Sequence, residues 1–247
     1  MTYERFAYLY DELMKDVPYE QWVRIVNDSC QKYNISGKKL LDLACGTGEL
    51  SLRLQKHGYT VTGVDLSADM LTVAQAKAAD EGLAIDFFQQ NMVELDLLTK
   101  YDVIGVFCDS LNYLQTEEEV KQTFRQIKQF LKEDGLLIFD VHSLYKINEI
   151  FLNETFTYDD GGICYIWNCF AGEYPGSVEH ELTFFVEESS GKYERIDENH
   201  TQRSFALETY EQWLIEAGFT VLEKIGDFAG KPQANSERVF FVVAHKL

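Results

Sequence analysis

Short apolar runs alternate with amphipathic helical segments along the first 142 residues. The runs, each of which predicts a buried strand, lie at 40–43, 60–65, 84–89, 102–107 and 136–141. Between the last two, Thr116 caps a predicted helix whose apolar face contains Val120, Phe124, Ile127 and Leu131. Strands that alternate with helices in this way predict βαβ units and a parallel sheet.

The pattern changes after His142. Four segments with no helix between them, at 155–158, 163–170, 178–188 and 193–204, are separated by turns that contain glycine, proline or serine. The third segment alternates with a period of two, which is typical of a half-exposed strand, so we predict an antiparallel meander. Helical spacing returns over 207–217, and strands are predicted at 219–225 and 239–244.

These elements predict the α/β class, with a Rossmann-like seven-stranded sheet that an antiparallel β meander interrupts. The α/β domain comprises residues 1–142 and 205–247, and residues 143–204 form an inserted subdomain, either a lid or a substrate-side wall.

The chain has 247 residues and a net charge of −19, with no local basic patch, so nucleic acid is an unlikely substrate. Five cysteines without a Cys-x-x-Cys pair predict reduced thiols in a cytoplasmic protein. The sequence offers no signal peptide, membrane span or metal-ligand spacing.

The segment from Leu40 to Leu50 predicts a strand, a tight turn with Gly46 and Gly48, and the start of a helix. Asp65 ends the next strand, 19 residues after Gly46, where a carboxylate can accept hydrogen bonds from both ribose hydroxyls. The turn lacks the third glycine of a dinucleotide motif, because Ser51 stands there, and Glu49 would face a pyrophosphate. These features favour a ligand that contains a single nucleoside over a dinucleotide such as NAD.

Four motifs together resemble those of the class I S-adenosylmethionine-dependent methyltransferases, over residues 35–142 and the two closing strands. The resemblance implies that S-adenosylmethionine is the cofactor and that residues in or near the motifs bind it: Tyr10, Asp42, Ala44, Cys45, Gly46, Thr47, Gly48, Asp65, Leu66, Met70, Asn91, Met92, Cys108 and Asp109. Many relatives have aspartate at the position of Asn91. Tyr10 belongs to an aromatic N-terminal segment with Tyr3, Phe6 and Tyr8, which closes over the cofactor or covers an edge of the core.

The chemistry of the motifs agrees with a cationic ligand. Asp42, Asp65 and Asp109 at strand ends make the crevice negative, as a sulfonium requires, although each acid is also compatible with a turn or cap. Methyl transfer is an in-line displacement that depends on alignment and needs no protein nucleophile. The catalytic candidates are Asp109 and His142, which is either a general base or a packed side chain.

The acceptor is expected to be a small molecule. The sequence has neither the Asn/Asp-Pro-Pro-aromatic motif of amino-methylating DNA enzymes nor the Pro-Cys pair of carbon-5 cytosine enzymes. Aromatic residues of the meander, Trp167, Phe170, Tyr174 and Phe184, either line the acceptor site or pack within the sheet. Two alternatives stay open: a nicotinamide-dependent oxidoreductase, and a non-catalytic partner protein that uses the meander as its interface. A homodimer is also possible.

Overall fold

The computed structural model describes residues 9–11, 13–15, 17–188 and 190–245, so the aromatic positions Tyr3, Phe6 and Tyr8 lie outside the described residues. The α-helices are α1 (Tyr19–Lys32), α2 (Glu49–Lys56), α3 (Ala68–Asp80), α4 (Glu117–Phe130) and α5 (Leu207–Glu216). The strands are β1 (Lys39–Leu43), β2 (Thr60–Asp65), β3 (Asp86–Gln89), β4 (Tyr101–Val106), β5 (Leu131–His142), β6 (Thr155–Asp159), β7 (Ile163–Ala171), β8 (Ser177–Glu187), β9 (Tyr193–Arg203), β10 (Phe219–Gly226) and β11 (Arg238–His245).

Seven strands form one sheet in the order β10-β11-β5-β4-β1-β2-β3. The pairs β1–β2, β2–β3, β1–β4 and β4–β5 are parallel, whereas β11 pairs antiparallel with both β5 and β10. The predicted α/β class and the seven-stranded sheet are therefore confirmed. The chain leaves β1 toward β2 and β3 on one side and returns to β4 on the other, which makes the β1–β4 edge the switch point of the sheet.

The central strands are largely apolar because helices cover both faces of the sheet. Leu41 and Ile104 face one buried cluster, and Leu40 and Val103 face the other. The helix α4 begins with a capping box, in which the Thr116 hydroxyl accepts from the Glu119 amide and the Glu119 carboxylate accepts from the Thr116 amide. Apolar strands and helix caps are local sequence features, which explains why the alternation of strands and helices in the sequence predicts the sheet.

The start of β5 is the clearest difference from the predicted elements. Leu131 had the spacing of the preceding helix, and Gly135 was expected to lead into the strand, but β5 already begins at Leu131. Leu131 pairs with Tyr101, and the ladder then shifts its register before Val103 pairs with Leu136. Residues 132–135 therefore interrupt the regular pairing, and the alternation of apolar and polar positions does not predict that the strand starts at Leu131.

The four remaining strands form a separate antiparallel sheet in the order β6-β7-β8-β9, inserted between β5 and α5. A short π-helical turn, Lys146–Phe151, joins β5 to it. Asn112 fixes the attachment: its amide nitrogen donates to the Arg203 carbonyl oxygen at 2.8 Å, and its oxygen accepts from the His142 amide at 2.9 Å. The inserted sheet is thereby held beside the carboxyl end of β5. In the part of the chain that the structure describes, no helix has the length and apolarity needed to cross a bilayer.

Candidate active site

The two glycines of the turn after β1 have different structural roles. Gly46 has a positive φ of +54°, and a Cβ placed on it would meet no heavy atom within 4 Å. Gly48 also has a positive φ, +76°, but its Cβ would lie 2.9 Å from the Cβ of Ala74 on α3. Gly46 therefore leaves open space at the crevice, whereas Gly48 allows α2 to pack closely against its neighbours.

Two carboxylates lie beside this turn, one partly buried and one fully buried. Asp65, at the end of β2, accepts hydrogen bonds from the amides of Gly46 at 2.7 Å and Ser67 at 2.8 Å. Asp42, which is 2% exposed, accepts from the Ser51 hydroxyl at 2.5 Å. Burial raises the pKa of Asp65 and raises that of Asp42 to about 6. Among the described residues neither carboxylate has a basic partner, so both favour a cationic ligand.

A cavity of about 1180 Å³ opens at this edge of the sheet. It is lined by all but one of the predicted site residues, namely Tyr10, Asp42, Ala44, Cys45, Gly46, Thr47, Asp65, Leu66, Met70, Asn91, Met92, Cys108, Asp109 and His142. The exception is Gly48, which lies behind the turn. Sites for one small ligand usually enclose about 300–1,000 Å³, so this cavity has room for a nucleoside and a second small molecule.

The segment before α1 is tied to the glycine turn by Asp11. One oxygen of the Asp11 carboxylate accepts from the Thr47 hydroxyl at 2.5 Å, and the other accepts from Lys77 Nζ at 2.8 Å. Tyr10 lies next to this anchor and lines the cavity. The anchor explains how an N-terminal segment reaches the crevice, and the sequence pattern did not single out Asp11.

Asp140 organises the loop that follows β4. Its carboxylate is fully buried and accepts from the amides of Cys108 and Asp109, each at 2.9 Å, and from Trp22 Nε1 at 2.9 Å. Cys108 and Asp109 both have φ of +54°, a conformation that non-glycine residues rarely adopt. The Asp140 carboxylate therefore holds two residues of the crevice wall in a strained backbone geometry.

Arg238, the first residue of β11, joins Asp140 to Asp109. Its guanidinium donates to Asp140 through Nη1 and to Asp109 Oδ1 through Nη2 at 2.8 Å. It also lies 5.1 Å from the ring of Trp22, as a cation–π contact. The arginine is thus enclosed by two carboxylates and an indole.

The second oxygen of Asp109 is also occupied. It accepts from Gln202 Nε2 at 2.7 Å and lies 3.2 Å from His142 Nε2. Burial opposes ionisation of Asp109, but His142 and Arg238 outweigh it and hold the pKa of this carboxyl well below its ordinary value. Asp109 is therefore an ionised anchor, which makes it a poor proton acceptor.

His142 has one nitrogen engaged and one without a partner. Burial lowers its pKa, so the ring is neutral near pH 7. A contact with ionised Asp109 requires the proton on Nε2, and this assignment leaves the lone pair on Nδ1. Nδ1 is buried and has no hydrogen-bond partner among the described residues. This tautomer leaves an unshared lone pair on Nδ1.

The inner face of the four-stranded sheet forms the wall opposite the glycine turn. Of the aromatic residues considered from the sequence, Trp167 and Phe184 line the cavity, whereas Phe170 and Tyr174 are exposed. Five further residues line the cavity or hold its wall, and the sequence pattern does not single them out as functional: Trp22, Asp140, Glu198, Gln202 and Arg238. Only Asp140 carried a usable signal, as an acid within an otherwise apolar strand.

Comparison with known proteins is consistent with this site. A family model described as "Methyltransferase domain" matches residues 40–135. A "Putative methyltransferase" of Geobacillus sp. (strain WCH70) is 55% identical and covers 98% of this chain and 99% of its own length. A crystal structure of an S-adenosylmethionine-dependent methyltransferase from Clostridium acetobutylicum ATCC 824 is 32% identical, with a TM-score of 0.91 over 99% of both chains.

A more distant structure has the same fold with the cofactor bound. It is an amino pentose methyltransferase from Micromonospora echinaspora, 16% identical with a TM-score of 0.74 over 95% of both chains. The fold, the crevice and these relatives together place the chain in the family of S-adenosylmethionine-dependent methyltransferases. The family assignment decides against the nicotinamide and non-catalytic alternatives, and the enzyme transfers a methyl group from S-adenosylmethionine.

The residues at the crevice fit this cofactor. The space in front of Gly46 admits a ligand against the backbone, and Asp65 keeps acceptor capacity beyond its two amide contacts. Asp42 and Asp65 have no basic partner among the described residues, so they can balance a cationic ligand. When bound, S-adenosylmethionine supplies a methyl group that is already activated for displacement.

Proposed function

We propose that the methyl acceptor is a small molecule bound between the carboxyl end of β5 and the inner face of the four-stranded sheet. The observation that carries this proposal is the single cavity lined both by Gly46 and Asp65 and by Trp167 and Phe184 of the inserted sheet. A donor at the glycine turn and an acceptor at the opposite wall then share one cavity. A cavity of this size suits a small molecule better than nucleic acid, which the net charge of −19 also disfavours.

The donor side of the cavity follows from the strand ends. We infer that Asp65 accepts hydrogen bonds from the ribose hydroxyls and that Asp42 balances the cationic part of the cofactor. The backbone of Ala44, Cys45, Gly46 and Thr47 lies along the cofactor, with Leu66, Met70, Asn91 and Met92 around the base and Tyr10, Cys108 and Asp109 toward the acceptor. Gly48 acts through the packing of α2.

His142 is the proposed general base. Its Nδ1 lone pair takes the proton that the acceptor atom loses, and Asp109 stabilises the resulting imidazolium through Nε2. Arg238 and Gln202 keep Asp109 in place and ionised. Asp109 is therefore a positioning residue, and alignment of donor and acceptor supplies most of the catalysis.

The role of the inserted segment and the location of the protein are also proposals. Residues 143–204 act as a substrate-side wall that excludes water from the α/β domain formed by 1–142 and 205–247. All five cysteines are free thiols, which supports a reducing compartment such as the cytoplasm. A homodimer is a prediction that light scattering of the purified enzyme tests.

Incubation of the enzyme with S-adenosylmethionine labelled in the methyl group and an extract of Bacillus subtilis (strain 168), which has a "Putative methyltransferase" 44% identical to this chain, tests the acceptor class. After separation by a 1-kDa membrane and chromatography that resolves the unused labelled cofactor, we expect a new labelled compound in the small-molecule fraction that forms only with active enzyme. A boiled-enzyme reaction is the control. Label found only in protein or nucleic acid contradicts the proposed function.

A further inference from the structure

Glu198 lies in the middle of β9, on the face of the inserted sheet that lines the cavity. Burial alternates along this strand: Ile196, Glu198 and Gln202 are buried, whereas Asp197 and Asn199 between them are exposed. Glu198 is only 8% exposed and lines the cavity. It pairs in register with Leu182 of β8. A carboxylate thus stands on this wall between apolar neighbours, Leu182 and Ile196, and the imidazole of His200.

The Glu198 carboxylate has no partner within the described part of the chain. It forms no hydrogen bond and no ion pair with any residue that the structure describes. Burial raises its pKa, with no neighbouring cation to oppose that effect. The carboxylate faces the cavity with its charge unpaired, so a cationic ligand in the cavity can compensate that charge.

The basic residues of the cavity cannot supply that compensation, because both are engaged elsewhere. Arg238 is enclosed by Asp109 and Asp140, and Lys146 Nζ lies 3.2 Å from the carboxylate of Glu237. The lining contains eight acidic side chains, these two basic ones and three histidines, His142, His180 and His200, whose pKa values burial lowers, so that they are neutral near pH 7. The cavity as a whole therefore attracts cations, and the wall has one acid available to bind one.

We propose that Glu198 binds a protonated amino group of the methyl acceptor, so that the substrate is a small cationic amine. The inference rests on the proposed function and names the substrate class for the same site. The cofactor does not satisfy Glu198, because the proposed donor contacts lie at the ends of β1 and β2, whereas Glu198 belongs to the opposite wall. The ammonium group replaces the missing partner, and the charge-assisted hydrogen bond selects amines over neutral analogues.

Thermal unfolding of the free enzyme gives a first test that needs no acceptor. If the carboxylate is held ready for a ligand, Glu198→Gln raises Tm by about 2 °C or more at pH 7, because the variant removes an unpaired buried charge. The matched control is Glu181→Gln, which changes an exposed glutamate on the outer face of the same sheet and leaves Tm within about 1 °C. A lower Tm for Glu198→Gln overturns the proposal, since it shows that Glu198 stabilises the fold through a partner in the protein.

A second test identifies the charge of the acceptor. The small-molecule fraction of the Bacillus subtilis extract is divided by cation exchange at pH 7, and each pool is incubated with labelled cofactor. We expect label from the retained, cationic pool, with an initial rate about 10- to 100-fold lower for Glu198→Gln and unchanged for Glu181→Gln. Cofactor affinity, measured by calorimetry, stays the same in both variants.

The outcomes distinguish a failure of the amine assignment from a failure of the proposed small-molecule function. Label that comes only from the unretained pool overturns the amine assignment and leaves the small-molecule function intact. An equal rate for Glu198→Gln and the wild type on the cationic pool overturns the role of Glu198. Label that enters only macromolecules overturns the proposed function, and the inference falls with it.

Discussion

Replacement of Arg238 by methionine removes the guanidinium that contacts both Asp109 and Asp140. The side chain of Asp140 is fully buried, and that of Asp109 is 18% exposed, so neither gains full solvation when the arginine is lost. Methionine keeps a similar length and can still pack against Trp22. The substitution therefore tests the charge of Arg238 more than its volume.

The magnitude follows from the two carboxylates that lose their partner. Removing one member of a buried ion pair destabilises a protein by about 3–5 kcal/mol, out of a total stability of about 5–15 kcal/mol. At about 2–4 °C per kcal/mol for a domain of this size, Tm falls by about 6–20 °C. Arg238→Lys keeps the positive charge but lacks the planar guanidinium that reaches both carboxylates, so its decrease in Tm is smaller.

The same variant has a pH signature. The lowered pKa of Asp109 means that its pairing contributes stability above the ordinary carboxyl pKa of about 4, and that this contribution is lost as the pH falls toward the lower folded-state pKa. In Arg238→Met the contribution is absent, and the buried carboxylates are neutralised by protonation as the pH falls. The stability difference between wild type and variant is therefore largest near pH 7 and smaller near pH 4.5.

Urea unfolding followed by tryptophan fluorescence at pH 7 and pH 4.5 measures this difference. Arg195→Met is the matched control, because Arg195 pairs with Asp197 on the exposed face of β9 and should change stability by less than about 0.5 kcal/mol. A loss below about 1 kcal/mol for Arg238→Met at pH 7, or one that is equal at both pH values, would refute the argument.

Two further variants test the donor and acceptor sides of the cavity. Burial raises the pKa of Asp42 to about 6, so the folded state binds this proton more tightly than the unfolded state, and stability falls as the pH rises from about 4 to 6. Asp42→Asn removes this pH dependence of stability between pH 4 and 6 and stabilises the free enzyme by about 2–3 kcal/mol at pH 7. Urea unfolding of the variant that shows the same fall in stability between pH 4 and 6 as the wild type would contradict the raised pKa of Asp42. His142→Gln lowers the rate of label transfer to small molecules by about 100-fold or more, with unchanged cofactor affinity by calorimetry; a rate within about threefold of wild type excludes a general base at this position.

The sequence predicts the sheet and the donor side of the cavity because their signals are local. A strand, its glycine turn and the following acid lie within 26 residues, from Leu40 to Asp65, and each has a characteristic spacing. The alternation along β8 likewise places Phe184 on the inner face. Such patterns depend on the geometry of single elements, so they need no knowledge of tertiary contacts.

The charge network on the acceptor side has no local signal. Arg238 lies 98 residues from Asp140 and 129 residues from Asp109, and Trp22 lies 118 residues from Asp140. The pairing of β11 with β5 brings Arg238 beside Asp140, whereas Trp22 comes from α1 and Asp109 from the loop after β4, so the network forms only in the folded sheet. Gly46 and Gly48 illustrate the same limit, since the sequence gives them equal status and only tertiary packing distinguishes their roles.

Calorimetric titration with S-adenosylmethionine of the wild type and Asp65→Ala tests the assigned cofactor site most directly. Asp86→Ala, at an exposed position at the start of β3, is the control for general effects on this edge of the sheet. We predict that Asp65→Ala weakens binding by about 10- to 150-fold, the loss expected for one hydrogen bond to a charged group, while the protein stays folded. Equal affinities for the wild type and Asp65→Ala would contradict the ribose assignment and with it the placement of the donor at the glycine turn.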